Sequence, residues 1–85
     1  MISEKTILVV DDEPFFRELV KGTIGGDYRI IEGCNGEEAI SLARELNPDL
    51  IIMDVEMPKL GGIDACRELK KDFETRRIPI ILFTS

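Results

Sequence analysis

The chain has 85 residues, of which 44% are hydrophobic and 33% charged, a balance that excludes a disordered chain and leaves room for one small domain. Seventeen acidic residues against eleven basic ones give a net charge of -6, which argues against binding nucleic-acid phosphates or an anionic membrane and suits a divalent cation. There is no histidine, so the commonest general base and histidine-ligated zinc or haem are excluded.

Cys34 and Cys66 are far apart and form no CxxC pattern, and no secretory leader is expected at Met1-Ile2-Ser3-Glu4-Lys5. Both are therefore expected to be reduced, packed thiols in a cytoplasmic protein. The longest apolar run, Ile80 to Phe83 behind Ile78-Pro79, is too short to span a bilayer.

In chain order, Thr6 to Val10 is a continuous β-branched, apolar run and is expected as the first strand. Pro14 then opens a helix, because its fixed φ suits the first turn and its missing donor is not needed there. Phe15, Phe16, Leu19, Val20, Thr23 and Ile24 recur at helical spacing until Gly25-Gly26. Tyr28 to Glu32 is expected as the second strand. Asn35-Gly36-Glu37-Glu38 resembles a capping box for a second helix, with Ala39, Ile40, Ala43 and Leu46 as its buried stripe and Asn47-Pro48 as its stop. Leu50 to Met53 is an apolar run ending in Asp54, the signature of a parallel strand buried on both faces. Gly61-Gly62 allows a tight turn, and Ile63, Cys66, Leu69 and Phe73 mark a third amphipathic helix. A polar segment from Glu74 to Arg77 separates it from a fourth strand, Ile78 to Thr84.

Strands alternating with helices predict a parallel sheet with right-handed crossovers, and a doubly wound arrangement gives strand order 2-1-3-4. The first helix then covers one face and the other two helices cover the opposite face. In such sheets the ligand cleft lies at the carboxyl ends of the strands flanking the reversal, here the first and third. Asp11, Asp12 and Asp54 are expected to meet there. Two carboxylates about 4 Å apart at an effective dielectric near 20 repel by roughly 4 kcal/mol, so three together must take up protons or hold a cation. An all-oxygen ligand set favours Mg²⁺ or Ca²⁺ over zinc or copper. Mg²⁺ recruits phosphate oxygens, and a carboxylate can itself be the nucleophile that becomes an acyl phosphate. An Asp-Asp pair taken alone is more simply a helix cap; Asp54 at a strand end two crossovers later changes that weight.

These residues carry a resemblance. Asp11-Asp12 after an apolar strand, Asp54 ending the third strand, Met57-Pro58 behind it, Gly62 before the third helix and Thr84 ending the fourth strand resemble the receiver domain of two-component response regulators, over essentially all 85 residues. The resemblance implies a flavodoxin-like doubly wound fold, with residues 1–85 forming one truncated receiver domain that lacks the fourth helix, fifth strand and fifth helix. It implies that Asp54 is the phosphoacceptor, taking a phosphoryl group from a sensor histidine kinase or phosphotransfer protein, and that the domain is not itself an enzyme. It further implies that Asp12 and Asp54 ligate Mg²⁺ directly, that Asp11 acts largely through water, that Glu56 offers its main-chain carbonyl, and that Thr84 is the switch hydroxyl. Met57 is expected as a core filler and Pro58 as a turn former, and Ser85 carries no assigned role.

Gly61 and Gly33 depart from the family pattern, which usually has Asp or Asn at the first and often Ala at the second. The fifth strand of the family carries a lysine that pairs with the phosphoryl group, and Lys59, Lys70 and Lys71 occupy other positions. Slow or absent phosphorylation is therefore expected of this chain. The outer edge of the fourth strand is expected to be bare and to support a homo-oligomer. Two alternatives remain: a structural half-domain that self-associates without signalling, and a Mg²⁺-dependent aspartyl phosphatase. Asp54-Val55-Glu56 matches the Asp-x-Asp motif of the second poorly.

Overall fold

The structure, a computed structural model, describes residues 4–84. The start at Met1 to Ser3, where no leader is expected, and Ser85 lie outside the described residues.

Four strands, β1 (Thr6–Val10), β2 (Arg29–Gly33), β3 (Leu50–Asp54) and β4 (Ile80–Phe83), form one parallel sheet, as the alternation predicts, in the order β2-β1-β3-β4 that a doubly wound arrangement gives. Helices α1 (Pro14–Ile24), α2 (Gly36–Leu46) and α3 (Gly62–Lys71) make the crossovers. The main core lies between α2, α3 and one sheet face, where Leu8, Val10, Ile51 and Met53 meet Ala39, Ala43, Ala65 and Leu69. Alanines at the helix contacts let α2 and α3 approach the pleat closely, and large aliphatic residues from the strands fill the remaining space.

The other face carries Val9 and Ile52 in register with Ile81, and α1 packs on it along β1. None of the residues of α1 is fully buried: Phe15 is 77% and Leu19 53% exposed. Phe16 is the exception to that looseness, its ring stacking at a tilt on Phe83 with centroids 4.4 Å apart, which ties α1 to β4. One helix thus leaves part of this face bare, and Ile81 is 53% exposed.

Several local expectations need correction. The fourth strand is Ile80–Phe83 rather than Ile78 to Thr84, because Pro79 lacks a ladder donor and Ile78 closes a turn by donating its N–H to the Thr75 carbonyl at 3.0 Å. The second strand begins at Arg29 rather than Tyr28. Phe73 lies beyond the end of α3 and is 74% exposed, while Ile63 and Leu46 also face solvent. Helical spacing finds the apolar residues but overstates the stripe, since only Ala39 and Ala43 of its expected members in α2 and Leu69 in α3 are fully buried. Cys34 is exposed rather than packed, and Cys66 is partly buried. The Gly61-Gly62 pair has no positive φ; the left-handed residue in that turn is Lys59, φ 68°, with Leu60 N–H donating to the Pro58 carbonyl at 2.8 Å.

Candidate metal centre

Parallel pairing aligns the carboxyl ends of β1 and β3, so Asp11, just past β1, and Asp54, the last residue of β3, arrive side by side. Asp12 follows on the connection to α1. One carboxylate oxygen from each of Asp11, Asp12 and Asp54 lies within 4.8 Å of the others. Asp54 and Asp11 are buried and Asp12 is exposed, which leaves the cluster open on one side.

Each buried acid is held by local backbone. Asp11 Oδ1 accepts from Glu13 N–H at 3.0 Å, and the Asp11 N–H donates to the Gly33 carbonyl at 3.1 Å. Asp54 Oδ1 accepts from Glu56 N–H at 3.3 Å. Burial, opposed by the Glu13 N–H and reinforced by the Asp54 and Asp12 charges, pushes the Asp11 carboxyl above its ordinary value. The donor set fits a hard divalent cation: oxygen atoms only, short spacing, a mutual repulsion that a cation would relieve, and an open side for waters or phosphate oxygens.

The loop after Asp54 is braced by two glycines at close approaches. A Cβ on Gly62 would lie 2.2 Å from the Asp54 carbonyl oxygen, and one on Gly36 2.3 Å from the Leu60 carbonyl oxygen. Gly36 N–H donates to that same Leu60 carbonyl at 2.9 Å, and Gly62 N–H to the Val55 carbonyl at 2.9 Å. The loop carrying Glu56 is therefore stitched to the start of α2 and closed on itself between Val55 and the start of α3. Glu56 and Thr84 are both exposed; Asp54 pairs with Phe83, so Thr84 follows at the same end of the sheet.

One basic side chain that the sequence does not single out also reaches this neighbourhood. Arg17, at the close of the first turn of α1, donates from Nη1 to the Asp11 carbonyl and from Nε to Glu32 Oε1 at 3.2 Å. Its spacing from the acids carries no distinctive pattern, and only the docking of α1 on β1 and β2 brings it there.

Residues 7–85 match the response regulator receiver domain family, and the chain belongs to that family. It is 42% identical over 88 residues to "Histidine kinase P4" of Formosa agariphila, covering 100% of this chain and 6% of that protein. It is 39% identical over 85 residues to the polar-differentiation response regulator DivK of Brucella anthropi, covering 95% of this chain and 67% of DivK. Among solved structures, the receiver domain of sensor histidine kinase PA1611 from Pseudomonas aeruginosa, with a magnesium ion coordinated in its active site cleft, superposes with a TM-score of 0.85 at 31% identity. That match covers 94% of this chain and 66% of the other. The chain thus spans a small part of the kinase and about two thirds of the other two.

Proposed function

We propose that residues 1–85 act as one receiver unit in which Asp54 accepts a phosphoryl group from the phosphohistidine of a sensor kinase or phosphotransfer protein. The observation that carries this reading is the convergence of Asp11, Asp12 and Asp54 within 4.8 Å at the carboxyl ends of adjacent strands. Asp12 and Asp54 would hold Mg²⁺ directly, with Asp11 acting through water and the Glu56 carbonyl completing the protein's share. Bound Mg²⁺ would neutralise the acids and bind phosphoryl oxygens. Asp54 then supplies a carboxylate oxygen to phosphorus as the phosphorus–nitrogen bond of the donor breaks, leaving an acyl phosphate and a histidine side chain. Thr84 turns its hydroxyl toward the phosphoryl oxygens. Burial of Asp54 beside β1 fixes its approach, and the exposed side at Asp12 admits the donor.

A histidine kinase and a kinase receiver domain among the similar proteins support this choice of donor. A phosphatase is disfavoured because Asp54-Val55-Glu56 supplies Glu where the Asp-x-Asp motif needs its second Asp, and Asp54 ends the third strand rather than the first. A cytoplasmic location belongs to the same proposal; among the described residues no helix is long and apolar enough to cross a membrane. No lysine has been assigned to the phosphoryl group: Lys70 is bound to the Arg76 and Ile78 carbonyls and Lys71 to Glu68. Labelling of the 85-residue chain is therefore expected to be slow. The test is ¹⁵N NMR and mass spectrometry with Mg²⁺ and beryllofluoride or acetyl phosphate. Mg²⁺-dependent shifts around Asp54 and a slow phosphoryl adduct that vanishes in Asp54→Asn are expected. Steady turnover of phosphomonoesters would instead favour the phosphatase, and no response to Mg²⁺ would favour a structural half-domain.

A second reading concerns assembly. The outer edge of β4 has no strand partner among the described residues, and Ile81 and Leu82 beside it are exposed. We propose that the 85-residue chain associates with a second copy of itself through this edge.

A further inference from the structure

The connection from β1 to α1 carries two of the three acids, yet it is short and polar. Its geometry depends on where the Asp11 carbonyl points, because that carbonyl and the Asp12 N–H belong to one rigid peptide plane. The carbonyl lies past the end of β1, and the helix that follows opens on Pro14, which has no N–H to offer. Arg17 reaches back from α1 to fill this position with Nη1 and at the same time gives Nε to Glu32 on β2. Only 15% of the Arg17 side chain and 31% of the Glu32 side chain are exposed. The other Glu32 oxygen accepts from Lys21 Nζ at 3.2 Å, one helical turn beyond Arg17.

We propose that Arg17, anchored by Glu32, is a positioning residue for the metal centre: it sets the Asp11–Asp12 peptide so that the Asp12 carboxylate is presented to the cation. The inference rests on the phosphoacceptor reading. A guanidinium suits the task because its planar fork holds the Nη1 and Nε donors in fixed relative directions toward two separate acceptors, whereas the donors of an ammonium share one nitrogen on a flexible stem. The bond to the Glu32 carboxylate also keeps the guanidinium on Glu32 and the Asp11 carbonyl, away from the carboxylates that would take Mg²⁺. Both partners are held from other sides as well: Asp11 by Gly33 and Glu13, Glu32 by Lys21. The clamp therefore transmits the docking of α1 on β2 directly to the acids.

The experiment is Mg²⁺ titration of the 85-residue chain by calorimetry, with ¹⁵N NMR of the Asp12 amide. Arg17→Met keeps the apolar stem, removes both bonds, and is expected to weaken Mg²⁺ binding roughly ten-fold and to move the Asp12 amide before Mg²⁺ is added. Arg17→Lys retains one bond at a time and is expected to fall between the two. Arg44→Met removes a comparable ion pair, to Asp72, away from the acids, and is expected to leave the Kd within about two-fold of the parent. Equal Mg²⁺ affinity in parent and Arg17→Met, or in parent and Arg17→Lys should the first variant fail to fold, would overturn the clamp alone. Absence of Mg²⁺ binding in the parent would overturn the phosphoacceptor reading and the clamp together.

Discussion

Asp11 is buried and Glu32 half-buried near the same end of the sheet, and their surroundings drive them in opposite directions. Burial and the neighbouring acids raise the Asp11 carboxyl above its ordinary 3.8. Its raised value means that ionisation of this group opposes folding, so its own contribution is most favourable below 3.8 and is lost as pH rises through the folded value. Removing one like charge should recover part of it. In the absence of Mg²⁺ at neutral pH, Asp54→Asn is expected to gain about 1 kcal/mol, which for a domain of this size raises Tm by roughly 4–8 °C; a lower Tm would contradict the like-charge account. Burial alone would raise Glu32 as well, but hydrogen bonds and charge from Lys21 and Arg17 outweigh it and hold the carboxyl below 4.5. Its contribution is therefore present above pH 4.5 and lost as pH falls through the lowered folded value. Glu32→Gln should flatten the acid side of the stability curve, measured as urea midpoints from pH 6 downward; an unchanged slope would show that the pair contributes nothing to acid sensitivity.

At the scale of elements, capping and close approach decide where helices start and stop. The Asn35 side chain accepts from Glu38 N–H at 2.9 Å, and Glu38 Oε1 accepts from Cys34 N–H at 2.8 Å, so the expected capping box forms with its return bond one residue earlier. Asn47 ends α2 in the left-handed region, φ 47°. The end of α3 depends on a residue that periodicity passes over: buried Thr75, whose hydroxyl donates to the Leu69 carbonyl at 2.7 Å. Two glycines separate steric need from helix propensity. At Gly36 an added Cβ meets backbone at 2.3 Å, so Gly36→Ala is expected to cost about 1–3 kcal/mol and to loosen the loop after Asp54. At Gly22 an added Cβ meets nothing within 4 Å, and Gly22→Ala is expected to stabilise by about 0.5–1 kcal/mol. Equilibrium denaturation of the two variants checks both signs.

Across the whole molecule the two faces of the sheet are unequal. One carries the continuous core under α2 and α3; the other has α1 along β1, with Phe15, Leu19 and Ile81 left exposed. The self-association proposed through β4 makes a direct prediction: Ile81→Lys places a charge beside that edge and should shift the mass measured by light scattering toward the monomer at micromolar concentration. A mass that is the same in parent and variant would remove β4 from the interface.

The strands, their parallel crossovers and the emergence of the acids at strand ends were legible in the sequence because they follow from features that are local and repetitive, whereas the order 2-1-3-4 also required a doubly wound arrangement. Apolar runs mark strands buried on both faces, alternation with helices forces parallel crossovers, and an acid ending such a run must emerge at the carboxyl edge. What the chain could not reveal by itself were quantities that depend on which residues meet across elements. Phe73 and Leu46 keep the spacing of buried residues yet face solvent, Cys34 is exposed, Lys59 rather than a glycine takes the left-handed turn, and Gly36 is small because the Leu60 carbonyl passes beside it. Arg17 beside Asp11 belongs with them. Spacing along one helix says which residues share a face, but only docking against β1 and β2 decides what that face touches, because contact is made between segments distant in sequence.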